Sequence, residues 1–290
     1  MEEYIKRYNE WLSSDKTDEK TKTELLSVDG NVDEIKRRFV SYMEFGTAGL
    51  RSKMGAGTAL MNTYTVAHAT EALARTIESV GDDAKERGVI LGYDSRHNSD
   101  TFARRCGEVL TAHGIKVYLF DELRPTPMLS AGVRYYGCIA GINITASHNP
   151  SAYNGYKLYW EDGAQPTAQI ANLVADIMAK IDIFEDVPSS DMADDSLVTM
   201  VGADFDEYFI EKVIGEQVYP DVIAKAADDL QIVYTPLCGA GYRMVPETLR
   251  RIGIKHLYPV EPQMKPDGDF PGLEKPNPEY PAAFAEGIKL

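Results

Sequence analysis

The sequence predicts an α/β protein: a mixed, mostly parallel sheet domain with flanking helices, followed by an incomplete second α/β domain of similar type. Three observations predict it. Short apolar runs at Val89–Tyr93, residues 115–120 and residues 138–144 alternate with helical patterns that stop at glycine, the signature of a βαβαβ layer. A second rhythm of the same kind starts at Gln231–Tyr234 but supplies only two strands, and parallel sheets need both faces covered. The length, 290 residues, suits about two domains.

The elements follow in order. Tyr4, Ile5, Tyr8, Trp11 and Leu12 share one helical face. A short helix is expected at residues 24–27. A third starts near Asp33 and carries Ile35, Phe39 and Val40. Residues 1–40 therefore read as an N-terminal helical extension. The glycine-punctuated run Phe45-Gly46-Thr47-Ala48-Gly49-Leu50-Arg51 cannot be a long helix. Asn62 is positioned to cap a helix that carries Val66, Leu73, Ile77 and Val80 and stops at Gly81. Ser99 caps a helix ending at Gly114. Thr126-Pro127 opens another, with proline in the first turn, ending at Gly137. Asn154-Gly155 marks a tight turn into a strand at residues 156–160, in which Lys157 faces away from Tyr156, Leu158 and Trp160. A helix at residues 168–181 completes a first domain spanning 41–190. A Ser/Asp-rich linker at 187–197 leads through a helix at 204–214 to the partial second domain, 200–290.

Composition narrows the function. Thirty Lys and Arg against 45 Asp and Glu leave a net charge of −15, which argues against nucleic acid and anionic membranes as partners. A local cluster of cations can still receive a small anion. The N-terminus lacks a signal-peptide apolar run, and no apolar stretch is long enough to span a bilayer. Three widely separated cysteines form neither a disulfide framework nor a metal spacing, so a reducing cytoplasm is the expected location.

The strongest chemical signal is Thr145-Ala146-Ser147-His148-Asn149-Pro150, just beyond a strand's carboxyl end, where open α/β sheets bind ligands. Ser147 lies on a turn that Pro150 keeps from becoming helix, with His148 beside it and Lys157 able to reach back. No hydrolase triad or nucleophile elbow is present. The constellation suits an anionic group ringed by cations; the same residues would also serve an ordinary polar loop. Arg51, after a glycine turn, suits a phosphate contact or a solvated surface turn. Arg96, in Asp94-Ser95-Arg96, either supports substrate or braces a loop. Asp267-Gly268-Asp269 reads as a turn rather than a metal loop, because no third aspartate follows. His68 and His113 read as packed or solvated helix residues, and the Gly239–Gly241 turn as packing, with ligand contact as the alternative.

These motifs carry a resemblance. The Ser147 segment resembles the phosphoserine loop of the α-D-phosphohexomutases, the phosphoglucomutase/phosphomannomutase superfamily. The Phe45–Arg51 segment resembles that family's N-terminal phosphate-contact motif. Residues 153–165 look like the branch of bacterial phosphoglucomutases and related phosphopentomutases, and Thr235-Pro236-Leu237-Cys238-Gly239-Ala240-Gly241-Tyr242 is similar to the opening of the family's second domain.

The resemblance implies a phosphosugar mutase. Ser147 would carry a phosphoryl group, lend it to a sugar phosphate and reclaim the other phosphoryl of the resulting sugar bisphosphate. Mg²⁺ would bind the phosphoserine oxygen of Ser147. Arg51 and Lys157 would contact phosphate, with Lys157 assisting proton transfer, His148 flanking the phosphoserine and Arg96 supporting substrate. Glucose 1-phosphate to glucose 6-phosphate is the expected reaction, with phosphopentose or mannose phosphate as alternatives. One departure stands against activity. Family members are roughly twice as long, with about four domains, and carry an Asp-x-Asp-x-Asp-Arg metal loop that is absent here. The chain then reads as an N-terminal fragment, an inactive phosphosugar-binding or interaction module. A bare nucleotide-binding domain fits less well, since Asp94-Ser95-Arg96 stands where its glycine fingerprint belongs.

Overall fold

The computed structural model describes every residue except Met1, Ala48, Asp82, Ala193, Asp194 and Asp195. One residue of the Phe45–Arg51 motif and three of the expected linker thus lie outside the described residues.

Helices α1 (Glu3–Ser13), α2 (Glu19–Leu26) and α3 (Val32–Phe39) form the N-terminal cluster. Trp11, 1 % exposed, meets Phe39, Tyr64 and Phe184 edge-on at centroid distances of 5.7, 5.1 and 5.5 Å, so the extension is packed onto the main body. Helix α2 starts earlier than the sequence suggests because the Asp18 carboxylate accepts the Thr21 N–H.

Strand β1 (Leu50–Lys53) precedes α4 (Thr63–Val80), which opens with a reciprocal Asn62–Thr65 capping box. Val66, Leu73 and Ile77 are fully buried as expected, but Val80 is exposed at the frayed end. Then come α5 (Ala84–Arg87), β2 (Val89–Tyr93), α6 (Ser99–Ala112), β3 (Val117–Phe120), α7 (Thr126–Tyr136), β4 (Ala140–Ile144), β5 (Tyr153–Trp160), α8 (Ala168–Met178) and β6 (Val198–Val201). The sheet order is β1-β5-β4-β2-β3-β6. Pairs β2–β3, β2–β4 and β3–β6 are parallel, while β5 runs antiparallel to both β4 and β1. One face buries Leu91, Ile142, Ile144, Tyr156 and Leu158 against α4, α6 and α8, and the other buries Ile90, Phe120 and Tyr159 against α7 and the helix Ala203–Gly215.

The second unit comprises α9 (Ala203–Gly215), α10 (Pro220–Ala226), β7 (Gln231–Tyr234), α11 (Met244–Arg251), β8 (His256–Pro259), α12 (Glu261–Met264) and α13 (Ala285–Lys289). Strands β7 and β8 pair in parallel, as the second rhythm predicts. Val233 and Tyr258 on this ribbon are exposed, since a two-stranded sheet has little to pack against.

Two sequence expectations are corrected, and one strand carries no signal in the sequence. Asn154-Gly155 is not a turn but part of β5. Glycine stands there because a Cβ would lie 2.7 Å from the Thr145 carbonyl oxygen and 2.9 Å from that of Leu50. Ser99 is the first residue of α6, not its cap, and its hydroxyl donates to Asp94 Oδ1 at 2.9 Å. Edge strand β6 follows the expected linker directly and went unforeseen, because four residues on a half-exposed edge make no apolar run.

His113, at the end of α6, contacts Glu71 Oε2 of α4 at 2.7 Å through Nε2 and Glu78 Oε1 at 3.2 Å through Nδ1. The hydrogen bond to Glu71 above all, with that to Glu78, raises its pKa against the opposing effect of burial. A raised folded-state pKa stabilises the fold fully below the unfolded value and ceases to do so as pH climbs through the folded value. The expected outcome is that His113→Gln lowers the urea midpoint more at about pH 5.5 than at about pH 8.5. An equal shift at both pH values, read by circular dichroism, would show that the imidazole is held neutral.

Candidate active site

Strand β4 is buried along its whole length and delivers the chain to the carboxyl edge of the sheet at Thr145. The Thr145 hydroxyl accepts the Ser147 N–H at 2.9 Å and donates to Asp94 Oδ2 at 2.5 Å. This closes a turn with Ser147 in the left-handed region, φ 54°, a conformation that costs a non-glycine residue roughly 1 kcal/mol or more. The turn leaves the Ser147 side chain exposed, with Oγ 3.4 Å from His148 Nδ1.

Arg96 lies beneath that turn, its side chain wholly shielded from solvent. Nη2 donates to the carbonyls of Ser147 and Asn149, both at 2.7 Å, and Nη1 to those of Pro150 and Tyr153 at 3.0 and 3.1 Å. Nε lies 3.4 Å from Asp94 Oδ2 without a hydrogen bond. The Phe270 ring stacks over the guanidinium, 5.0 Å from Cζ to centroid. Of the two readings open for Arg96 the structure selects the brace: its donors point into backbone, so the substrate contact expected for it is corrected to a supporting role. Asp94 is likewise committed, accepting from Thr145, Ser99 and the Arg96 N–H. Burial pushes its pKa up, opposed first by the Thr145 hydrogen bond and then by the Arg96 charge.

The remaining cations come from the sheet. Arg51 pairs with Gly155 across β1 and β5, and Lys157 pairs with Asn143 across β5 and β4. Strand alternation puts Arg51 and Lys157 on the same face with side-chain-free Gly155 between them. Exposed Arg51 reaches the serine turn through Asn149, with Nη1 3.5 Å from Oδ1. Half-buried Lys157 has its pKa lowered by burial and then by the Arg51 charge, with Asp94 opposing.

Ser147 and His148 line a cleft of about 540 Å³. Its opposite wall is the second unit, with Thr235, Leu237 and residues 276–279. Arg124 and Asp206 tie the walls together in a contact that spacing alone did not reveal. Arg124 Nε and Nη2 donate to the Asp206 carboxylate at 2.7 and 2.9 Å, and Arg243 Nη2 joins it at 2.8 Å. Mg²⁺ finds no ready site in these residues. Among the described residues no group of three or more His, Cys, Asp or Glu side chains is arranged to hold a metal ion, and both Asp94 oxygens are already bonded. The three cysteines are buried and free, and among the described residues no helix is long and apolar enough to cross a membrane.

Two family models match in series: "Phosphoglucomutase/phosphomannomutase, alpha/beta/alpha domain I" over residues 42–184, and the corresponding domain II over residues 207–290. The phosphoglucomutase of Staphylococcus epidermidis is 36 % identical over 253 residues, covering 86 % of this chain and 44 % of its own length. That of Staphylococcus aureus strain MRSA252 is 36 % identical over 261 residues, covering 89 % and 45 %. The chain thus spans under half the length of these curated relatives. A crystal structure from Thermus thermophilus, of a protein proposed to be a phosphomannomutase, shares the fold with a TM-score of 0.70 at 24 % identity, over 86 % of this chain and 52 % of that one.

The geometry makes Arg96 hard to replace even by another cation. A lysine ammonium has three donors on one atom and cannot span four carbonyls. Arg96→Lys is expected to lower stability by about 2–3 kcal/mol in chemical denaturation. An unchanged midpoint would show that the turn holds itself.

Proposed function

Because the chain belongs to the phosphoglucomutase/phosphomannomutase family, we propose that it is the phosphoryl-carrying part of a phosphosugar mutase whose preferred substrates are glucose 1-phosphate and glucose 6-phosphate. The observation that carries the reading is the exposed Ser147 hydroxyl, held in a left-handed turn over a buried arginine at the mouth of the cleft. Residues 41–190 would form the serine-bearing domain and residues 200–290 a partial second domain.

On this reading Ser147 Oγ bonds to phosphorus as the P–O bond to the departing sugar oxygen breaks, and the sugar hydroxyl so formed takes up the serine proton. In the reverse transfer a hydroxyl of the bound sugar phosphate attacks the phosphoserine, and the bisphosphate turns over in the cleft before returning its other phosphoryl. Arg51 offers a guanidinium to phosphate oxygens beside the turn. The lowered pKa of Lys157 leaves more of it neutral at alkaline pH, so its amine can take the proton of the attacking hydroxyl, serine or sugar, and pass it to the departing oxygen. His148 flanks the serine oxygen. Among the described residues no cluster of side chains is arranged to hold Mg²⁺. The protein is proposed to act in the cytoplasm on small phosphosugars.

A second reading is favoured by the missing cluster of metal-ligating side chains among the described residues. The 290 residues would accept and hold a phosphoryl group without turning over substrate.

Incubation of the chain with labelled glucose 1,6-bisphosphate, followed by mapping, is expected to place the label on Ser147. Label uptake should fall by on the order of 10³-fold or more in Ser147→Ala. It should fall by about 10²-fold in Lys157→Arg, whose guanidinium cannot exchange a proton. Label on another residue would defeat the proposal. Label on Ser147 without mutase turnover in a coupled assay would select the second reading.

A further inference from the structure

We propose that the Asp267-Gly268-Asp269-Phe270 turn of the second unit is a latch that sets the shape of the serine turn through Arg96, which makes Gly268 and Phe270 positioning residues for Ser147. The turn is built for close approach. A Cβ on Gly268 would lie 2.8 Å from the His97 backbone nitrogen and 3.0 Å from the Ser95 carbonyl oxygen, so the two loops meet backbone to backbone. Asp269 Oδ1 lies 2.7 Å from His97 Nε2 at the rim. Phe270, 4 % exposed and itself at φ 49°, lays its ring on the guanidinium face of Arg96.

The turn is also tied back into its own unit. The Asp267 N–H donates to the Cys238 carbonyl at 3.1 Å, and the Cys238 N–H donates to the Gln263 carbonyl at 2.9 Å. The Phe270 N–H donates to the Asp267 carbonyl at 3.2 Å. A continuous path of packed groups therefore runs from the far wall of the cleft, through Phe270 and Arg96, to the carbonyl of Ser147. The outer edge of the guanidinium is occupied by four carbonyls, and Phe270 covers a face that water would otherwise reach. With that face open, water competes for the donors that hold the turn, and the left-handed Ser147 loses its support. The serine is thus held in its working geometry when the two walls of the cleft are together. The consequence for phosphoryl transfer rests on the reading of Ser147 given above, whereas the latch itself is a statement about order in the turn.

Backbone amide hydrogen exchange on the 290-residue chain tests it. Phe270→Ala is expected to speed exchange at the Ser147 and Asn149 amides by about tenfold, with β3 unchanged and Phe270→Tyr close to the parent. If Phe270→Ala does not fold, Gly268→Ala carries the same test, because its methyl must part the two loops while leaving both cores intact. Exchange at Ser147 and Asn149 within about twofold of the parent, while residues 267–270 themselves loosen, overturns the latch. In parallel, label uptake at Ser147 should fall with the accelerated exchange. A parent chain that takes no label sinks the phosphoryl reading and leaves the exchange result to judge the latch alone.

Discussion

A guanidinium sealed from water is the constraint on which the candidate site depends. Removing a charge from water is expensive unless its donors are satisfied, and Arg96 meets that demand almost entirely with backbone. Carbonyl oxygens satisfy the Nη donors, and the Asp94 carboxylate, 3.4 Å from Nε, forms a close ion pair with the guanidinium. Arg51 and Lys157 place two further cations near the turn from the sheet of a chain whose net charge is −15.

The mixed sheet follows from the same demand. A purely parallel sheet would carry the chain from β4 away through a crossover helix, with the next strand entering from the opposite end. Here the chain turns at Ser147 and returns at once as antiparallel β5, so Lys157 and Gly155 lie beside the strand that delivered the serine. Strand β1 then adds Arg51 opposite Gly155. Glycine at 155 and at 49 permits this crowding. A Cβ at 155 would strike the Thr145 and Leu50 carbonyls, and one at Gly49, where φ is +78°, would sit on the Tyr156 carbonyl oxygen.

Much of this was legible in the sequence, and the residues show where legibility ends. The helix cap at Asn62, the first-turn proline of Thr126-Pro127, the buried strands and the exposed serine past β4 all depend on local rules of period and turn chemistry. Asn154-Gly155 misled because the same dipeptide that favours a tight turn also relieves a close backbone contact, and only the neighbouring strands decide between the two. The direction of Arg96 was open for a similar reason. Spacing placed it at the right edge of the sheet, but whether five donors face a ligand or the protein depends on carbonyls more than 50 residues away in the chain. Phe270 and the Arg124–Asp206–Arg243 contact gave no local signal at all, since each exists only once the second unit is docked.

The two walls of the cleft share one backbone device, and the comparison separates what is structural from what is chemical. At the end of β4 the Thr145 hydroxyl accepts the N–H of Ser147, which has φ 54°. At the end of β7 the Thr235 hydroxyl accepts the N–H of Leu237 at 3.0 Å, and that residue has φ 51°. A threonine closing a left-handed residue two positions on thus ends two strands at the cleft, and it does not by itself mark a site. The difference lies in what the turn presents and what stands behind it. Leu237 is buried, whereas Ser147 is exposed and backed by the buried guanidinium of Arg96, which holds its carbonyl. The fold supplies the same backbone geometry on both walls, and one of them presents an exposed hydroxyl over a buried guanidinium.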